Sequence, residues 1–213
     1  MTERTLEALS KELHRQLAVA ECKNVMGKVM YYGVAWLNQN LLELWSQRED
    51  CRLEMPWGVY EGRQGVERCY LKDFGDRSDP GKLEQLKGVM MLYTLDTPIV
   101  EVAEDGQSAK GVWVSSGADT WREGDAHPQG YWRWGKYAVD FVLEDGSWKI
   151  WRMGFYPFFL TKYDVSWVDA PAYDYAFFPV TPDHPRDVPV YHYTAQTVYP
   201  VDQPPIPVPY EHM

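Results

Sequence analysis

The sequence predicts an α+β domain in which N-terminal helices pack on a curved antiparallel sheet. Two observations lead to this prediction: helical spacing of apolar residues in the first part, and runs separated by turn signals in the middle. The chain has 213 residues with 45% hydrophobic content, which is enough for a core of its own. We expect one domain over residues 1–170 and an extended arm over residues 171–213.

The first segment is predicted to be helical from Thr5 to about residue 36. Apolar residues recur there every three or four positions, in two runs: Leu6, Leu9, Leu13, Leu17 and Ala20, then Val25, Val29, Tyr32 and Trp36. The runs are out of phase, so the segment is either one long helix with a phase slip or two helices that meet near residues 21–24. Asn40 followed by Glu43 has the spacing of a capping box and predicts a short helix at 41–47.

The period of the sequence changes after Cys51. Residues 52–62 predict a strand that Pro56 interrupts, and residues 63–74 predict a helix. Residues 74–87 are polar and predict a loop leading into a helical turn. From Gly88 onward, runs separated by turn signals predict an antiparallel meander, with strands at 89–103, 108–118, 131–143 and 147–159.

The end of the chain differs in composition from the rest. Residues 171–213 hold ten of the fifteen prolines together with several tyrosines. Proline lacks a backbone donor and has a fixed φ, so this segment is neither regular helix nor inner strand, and an extended arm is predicted. Its aromatic residues indicate that the arm packs on its own domain or on a neighbouring subunit.

Charge and cysteine content exclude several classes of function. The net charge of −10 would repel phosphate backbones and anionic lipids, so neither nucleic acid nor membrane is an expected partner. Cys22, Cys51 and Cys69 are odd in number and lack a CxxC spacing, so neither a disulfide framework nor a zinc knuckle is expected. The N-terminus is charged, and no run of eighteen apolar residues follows, which favours a cytoplasmic protein.

Aromatic residues are abundant, with 10 Trp, 15 Tyr and 7 Phe. They supply flat apolar walls with polar edges, so a hydrophobic small molecule is the expected ligand. The five histidines are not spaced as metal ligands on regular structure, and the sequence has no glycine-rich phosphate loop. Neither a metal nor another cofactor is expected.

The last predicted hairpin sorts its residues into two faces. A three-residue loop at 144–146 would place Leu143 opposite Ser147, and Asp140 diagonal to Arg152, whereas a four-residue loop would move Arg152 to the other face. One face is then charged and aromatic and carries Trp134, Lys136, Asp140, Trp148, Arg152 and Tyr156. Such a face lines a cavity or forms an ion-pair network, including a structural Asp140–Arg152 pair. Both faces carry large apolar groups while helices cover only one, so a homo-oligomer, dimer or trimer, is expected.

Three phrases in the sequence resemble the SnoaL-like branch of the NTF2-like superfamily. They are WGVYEGRQGV at 57–66, TPIVEVAEDGQSAKGVW at 97–113 and KYAVDFVLEDGSWKIWR at 136–152. The resemblance covers roughly residues 6–165. It implies a cone-shaped α+β barrel with a deep pocket between the helices and the concave sheet. It also implies that members without cofactors act as polyketide cyclases, dehydratases, isomerases or carbon–carbon lyases, whereas others only bind or scaffold.

The resemblance also implies particular site residues. Dehydratase-like relatives commonly place a tyrosine on the first helix, an acid five residues later, a histidine on a strand and sometimes an arginine on the last strand. This sequence keeps Tyr32 and Arg152, but it has Leu37 in place of the acid and Tyr93 in place of the histidine. The expected catalytic residues are therefore Tyr32, Tyr93, Asp140 and Arg152, although Tyr32 also fits a core tyrosine with a satisfied hydroxyl.

We therefore expect a cofactor-independent lyase, dehydratase or isomerase that uses acid/base chemistry on an aromatic or polycyclic substrate. The expected substrate-binding residues are Trp36, Trp57, Trp134, Lys136 and Tyr156. The alternative is a non-catalytic binding or assembly domain of the same fold.

Overall fold

The computed structural model describes residues 3–122, 127–171, 179–200 and 202–213, with side chains from residue 5 onward. Residues 123–126, in the predicted loop before residue 131, and residues 172–178 of the predicted arm lie outside the described residues. One long helix comes first, followed by short helices around a β-hairpin, and then by the strands of the main sheet. The predicted α+β fold is confirmed.

Helix α1 is one continuous helix, Glu3–Val34, so the phase slip occurs without a break. The residues that it buries against the core are Ala18, Cys22, Val25, Met26 and Val29. The leucines of the first apolar run are all about half exposed. Residues 5–14 are exposed on every side of the helix, so only the second half of α1 contributes to the core.

Short helices frame one end of the sheet. They are α2 (Asn38–Leu42), α3 (Gly62–Glu67), a π-helical segment (Arg68–Phe74) and α4 (Pro80–Gln85). The predicted helix at 41–47 in fact lies earlier and is shorter. The Asp76 carboxylate accepts a hydrogen bond from the Gln39 N–H at 2.9 Å, so a distant residue, and not Asn40, holds the start of this helix.

In the described part of the chain, seven strands form a single open sheet in the order β2-β1-β7-β6-β5-β3, with β4 also paired to β5. The strands are β1 (Arg52–Met55), β2 (Gly58–Glu61), β3 (Met90–Tyr93), β4 (Asp96–Val102), β5 (Ser108–Trp121), β6 (Gln129–Glu144) and β7 (Ser147–Lys162). The sheet is mixed and not wholly antiparallel, because β1 runs parallel to β7. The strand predicted at 89–103 is split into β3 and β4.

The β6–β7 hairpin turns on two residues and not on the predicted three. Asp145 and Gly146 both have positive φ, 47° and 74°, and Glu144 pairs with Ser147. A two-residue turn with both φ values positive matches the right-handed twist of the strands. A bulge on β7 then shifts the register, so that Asp140 lies directly opposite Arg152.

The same bulge changes which positions of β7 face the helices. Trp148 and Ile150 are buried before the bulge, whereas Met153 and Phe155 are buried after it. One extra residue in a strand with a two-residue period moves every later side chain to the other face. The predicted polar face of the hairpin, from Trp134 through Tyr156, is therefore the outer face of the sheet, except that Trp148 belongs to the core.

The described part of the C-terminal arm crosses this outer face within the same chain. His184 bridges Val59 at the β2 edge, and the Val59 N–H donates to the His184 carbonyl at 2.9 Å. Further along, the Lys136 ammonium donates to the Pro204 carbonyl at 3.2 Å. Tyr210 ends the path beside Ser108, with 3.2 Å between their hydroxyl oxygens. The chain itself thus covers much of the surface on which the expectation of a homo-oligomer rested.

The three cysteines are free and buried, and burial raises the pKa of Cys22 to about 12.

Within the described residues, no helix combines the length and apolarity needed to cross a lipid bilayer.

Candidate functional site

A pocket lies between the end of α1, the short helices and the concave face of the sheet. Its volume is about 120 Å³. Most of its wall is apolar, formed by Val29, Met30, Val34, Trp36, Leu41, Met55, Trp57, Phe74, Met91, Trp121, Met153 and Leu160. An apolar pocket with a few convergent polar groups is the usual form of a small-molecule site.

Three adjacent strands place Tyr93, Asp119 and Arg133 in the pocket. Tyr93 on β3 pairs with Gly117 on β5, and Gly117 pairs with Arg133 on β6, so these residues form one row across the sheet. A Cβ atom on Gly117 would lie 2.3 Å from the Tyr93 ring. The missing side chain therefore allows the phenol to lie across β5, toward the next inward-facing residue of that strand, Asp119.

Asp119 is the buried acid of the pocket, and its residue is only 2% exposed. The Tyr93 hydroxyl donates a hydrogen bond to its Oδ1. The Nε of Arg133 lies 3.8 Å from Oδ2. One carboxylate oxygen thus faces a neutral donor and the other faces a cation, within a mostly apolar wall.

Aromatic rings hold the Arg133 guanidinium in place. Its central carbon lies 3.8 Å from the centre of the Tyr93 ring and 4.5 Å from the centre of the Phe155 ring. A guanidinium on an aromatic face is stabilised by the ring quadrupole, and more strongly when water is excluded. Tyr93 therefore contacts both charged residues, through its hydroxyl and through its ring.

Burial is the main influence on the ionisation of this cluster. It raises the pKa of Asp119 above its ordinary value of 3.8, although Arg133 and the Tyr93 hydrogen bond act in the opposite direction. Burial also raises the pKa of Tyr93 well above 10, so the phenol stays protonated and remains a donor. A carboxyl with a raised pKa beside a protonated phenol can exchange a proton with a bound molecule.

The cluster has no net charge when Asp119 is ionised. Among the described residues that line the pocket, Asp119 and Arg133 are the charged ones, and they pair with each other. No group of three or more His, Cys, Asp and Glu residues within the described ranges could hold a metal ion.

The structure places three of the expected site residues in this pocket, namely Trp36, Trp57 and Tyr93. Tyr32 packs beside the core and is not among the lining residues. The other expected residues lie on the outer face of the sheet. They are Trp134, Lys136, Asp140, Arg152 and Tyr156.

The outer-face residues have partners of their own. Asp140 pairs with Lys110 at 3.4 Å, so the considered Asp140–Arg152 ion pair is replaced by a different one. Arg152 is exposed and stacks on the Trp151 ring at 4.3 Å. The Tyr156 ring lies under the Arg186 guanidinium of the arm at 4.6 Å. The structure therefore does not bring Asp140 and Arg152 together with Tyr93.

Sequence reasoning missed Asp119 and Arg133, which complete the cluster with Tyr93. Asp119 was assigned to a loop, but β5 continues to Trp121. The alternation of inward residues was a usable signal. Positions 113, 115, 117 and 119 on β5, and positions 133, 137, 139 and 141 on β6, share one face, so extending either pattern reaches the missed residue.

Comparison with known families and structures agrees with this architecture. The family model for the SnoaL-like domain matches residues 17–154, so the chain belongs to the SnoaL-like family. The match confirms the SnoaL-like resemblance that the sequence phrases indicated. No curated protein matches the sequence significantly.

Solved structures share the fold at low sequence identity. Hexachlorocyclohexane dehydrochlorinase LinA-type3 from Novosphingobium barchaimii LL02 is 14% identical with a TM-score of 0.56, covering 75% of this chain and 99% of that chain. A putative scytalone dehydratase from Novosphingobium aromaticivorans DSM 12444 is 17% identical with a TM-score of 0.51, covering 74% and 93%. An NTF2-like protein with a cystatin-like fold from the latter species is 15% identical with a TM-score of 0.50, covering 78% and 92%. At these identities the comparison shows the fold alone.

Proposed function

We propose that the protein is a cofactor-independent lyase or isomerase that acts on a small hydrophobic molecule in this pocket. The observation that carries the proposal is the Tyr93 hydroxyl donating to the buried Asp119 carboxylate, with Arg133 beside both. Asp119 takes the role of general base or acid, Tyr93 holds or supplies a proton, and Arg133 stabilises negative charge on the reacting molecule. These roles replace those expected for Asp140 and Arg152.

The chemistry requires only proton movement and the departure of a leaving group. In an elimination, the Asp119 carboxylate takes a proton from carbon, the pair of the broken C–H bond becomes the new double bond, and the leaving group departs with its bonding pair. In an isomerisation, Asp119 returns the proton to a different carbon. Both routes gain from a dry pocket, because a desolvated carboxylate is a stronger base.

The structural neighbours support an elimination. One of them is a hexachlorocyclohexane dehydrochlorinase and another is described as a putative scytalone dehydratase. Loss of hydrogen chloride and loss of water both begin with removal of a proton from the substrate, the step proposed for Asp119. The two names thus favour testing halogenated and hydroxylated rings.

A panel of ring compounds tests the proposal. Purified protein is incubated in D₂O with cyclohexanone, 3-hydroxycyclohexanone and γ-hexachlorocyclohexane, while NMR follows deuterium uptake and alkene formation and an electrode follows chloride. Asp119→Asn should reduce any turnover by at least about a hundredfold. The matched variant Asp140→Asn makes the same change on the outer face and should retain turnover.

Two results would count against this proposal. Equal turnover by the two aspartate variants would remove Asp119 from the chemistry. Binding of these compounds without any turnover would favour the alternative, a non-catalytic binding domain.

A further inference from the structure

Trp36 occupies a backbone position that ordinarily takes glycine. Helix α1 ends with hydrogen bonds from the Leu37 N–H to the Tyr32 carbonyl at 2.9 Å, and from the Trp36 N–H to the Gly33 carbonyl at 3.0 Å. This pair of bonds defines a Schellman motif, and its left-handed residue is Trp36, with φ of 58°. A bulky side chain is strained in this region of φ, so the tryptophan lowers the local stability of the helix end compared with glycine.

The indole forms part of the pocket wall. Trp36 is 7% exposed and belongs to the pocket lining. The Trp121 ring meets it edge-on, with centres 6.4 Å apart and planes at 77°, and the Phe74 ring lies at the same distance, tilted by 58°. Rings held by other rings on two sides have little room to turn aside, so the indole is a fixed part of the pocket wall.

The indole also contacts a positive charge that is not part of the pocket lining. The Lys82 ammonium sits 4.6 Å over the Trp36 ring, yet Lys82 does not line the pocket. A cation over an indole face is stabilised by the ring. Removing the indole would therefore lengthen the cavity and open it toward this ammonium.

We propose that Trp36 is the specificity-determining residue of the pocket and restricts it to uncharged molecules of about one six-membered ring. The inference rests on the proposed function only in assuming that the substrate occupies this pocket. The cavity of about 120 Å³ is similar in size to an engineered cavity of about 150 Å³ that holds benzene. The paired Asp119 and Arg133 leave no unmatched charge for an ionic substrate.

Ligand size is tested by calorimetric titration with 4-methylphenol, which has one ring, and 2-naphthol, which has two. The wild-type protein should bind 4-methylphenol at least about tenfold more tightly than 2-naphthol. Trp36→Gly, which also relieves the backbone strain, should shift this ratio at least about tenfold toward 2-naphthol. Trp36→Phe retains a smaller ring and the same backbone strain, so it should give an intermediate ratio, and it decides the test if the glycine variant does not fold.

Charge is tested with 2-naphthoate. Trp36→Gly should bind this anion, and the double variant with Lys82→Met should lose that gain. Trp167→Gly removes an exposed indole outside the pocket and serves as the matched control, which should behave as wild type toward all three probes. Equal wild-type affinity for the two phenols, no wild-type binding of 4-methylphenol, or 2-naphthoate binding that persists without Lys82 would overturn the proposal.

Failure of this inference can be separated from failure of the proposed function. The probes report binding and need no turnover, so the size preference is measured on the wild-type and Trp36 variants whether or not they turn over a substrate. A protein with this preference but no catalysis would refute the proposed chemistry alone. A protein whose catalysis depends on Asp119, but whose size preference does not depend on Trp36, would refute the inference alone.

Discussion

Replacing Arg133 by methionine should destabilise the fold in a pH-dependent way. The Arg133 side chain is 12% exposed and its Asp119 partner is 2% exposed, so the substitution leaves a buried carboxylate without its cation. Breaking a buried pair from one side costs about 3 to 5 kcal/mol. Asp119 keeps its hydrogen bond from Tyr93 and can take up a proton, so we expect the lower end, about 3 kcal/mol near pH 8.

The sign of the pH dependence follows from the raised pKa of Asp119. A group whose folded pKa is raised contributes stability that is fully present below its unfolded pKa and is lost as pH rises through the folded value. Arg133 lowers the pKa of Asp119, so removing Arg133 raises this pKa further and extends the interval of loss toward higher pH. Within that extension the penalty should grow by about 1.4 kcal/mol per pH unit.

Urea unfolding at about pH 5 and about pH 8 measures both effects. In a separate thermal melt near pH 8, the melting temperature of Arg133→Met should fall by about 6 to 12 °C. Arg152→Met is the matched control, since Arg152 is exposed, and it should stay within about 0.5 kcal/mol of wild type. Equal losses in the two variants, or a loss in Arg133→Met that is the same at both pH values, would refute the assignment of the buried pair.

Three further perturbations test other parts of the structure. Tyr93→Phe should cost about 1 to 3 kcal/mol and reduce turnover, because a buried Asp119 oxygen loses its donor, whereas Tyr156→Phe on the outer face should retain turnover. Gly117→Ala should cost about 1 to 3 kcal/mol in thermal melts, since its Cβ would lie 2.5 Å from a backbone oxygen, while Gly130→Ala, with 3.6 Å to its nearest neighbour, should be nearly neutral. Deleting residues 179–213 should lower the free energy of unfolding by about 2 kcal/mol or more and cause self-association, because it uncovers the outer face. An unchanged melting temperature and an unchanged mass by light scattering would show that the arm does not stabilise this surface.

Much of the fold could be predicted from local sequence patterns. Apolar spacing predicted helix α1, and turn residues such as Gly146 marked the ends of the long strands. The parallel pairing of β1 with β7 had no local signal, because it joins segments about a hundred residues apart. The exposure of Leu6 through Leu17 had no local sequence signal either. A periodic apolar pattern shows which residues share a helix face, but not whether that face packs against the rest of the protein.

The candidate site was harder to predict than the fold. Tyr93 was identified because the family resemblance implies a site residue at its position. Trp36 and Trp57 were identified because large aromatic side chains are expected to line a pocket for a hydrophobic molecule. The predicted hairpin loop placed Asp140 and Arg152 on one face of the sheet, and this face was expected to line the cavity. The loop alone does not determine which face of the sheet the helices cover. A β-bulge and the C-terminal arm decide that here, and both depend on contacts distant in sequence.

The most direct test of the central claim is a titration of the Asp119 carboxyl by carbon-13 NMR. The resonance is assigned as the aspartate signal that is absent from Asp119→Asn. It should titrate with a pKa above 3.8, because burial outweighs the effects of Arg133 and Tyr93, and it should shift when 4-methylphenol fills the pocket. A pKa at or below 3.8, or a signal that does not respond to the ligand, would contradict the assignment of Asp119 as the buried acid/base group of the site.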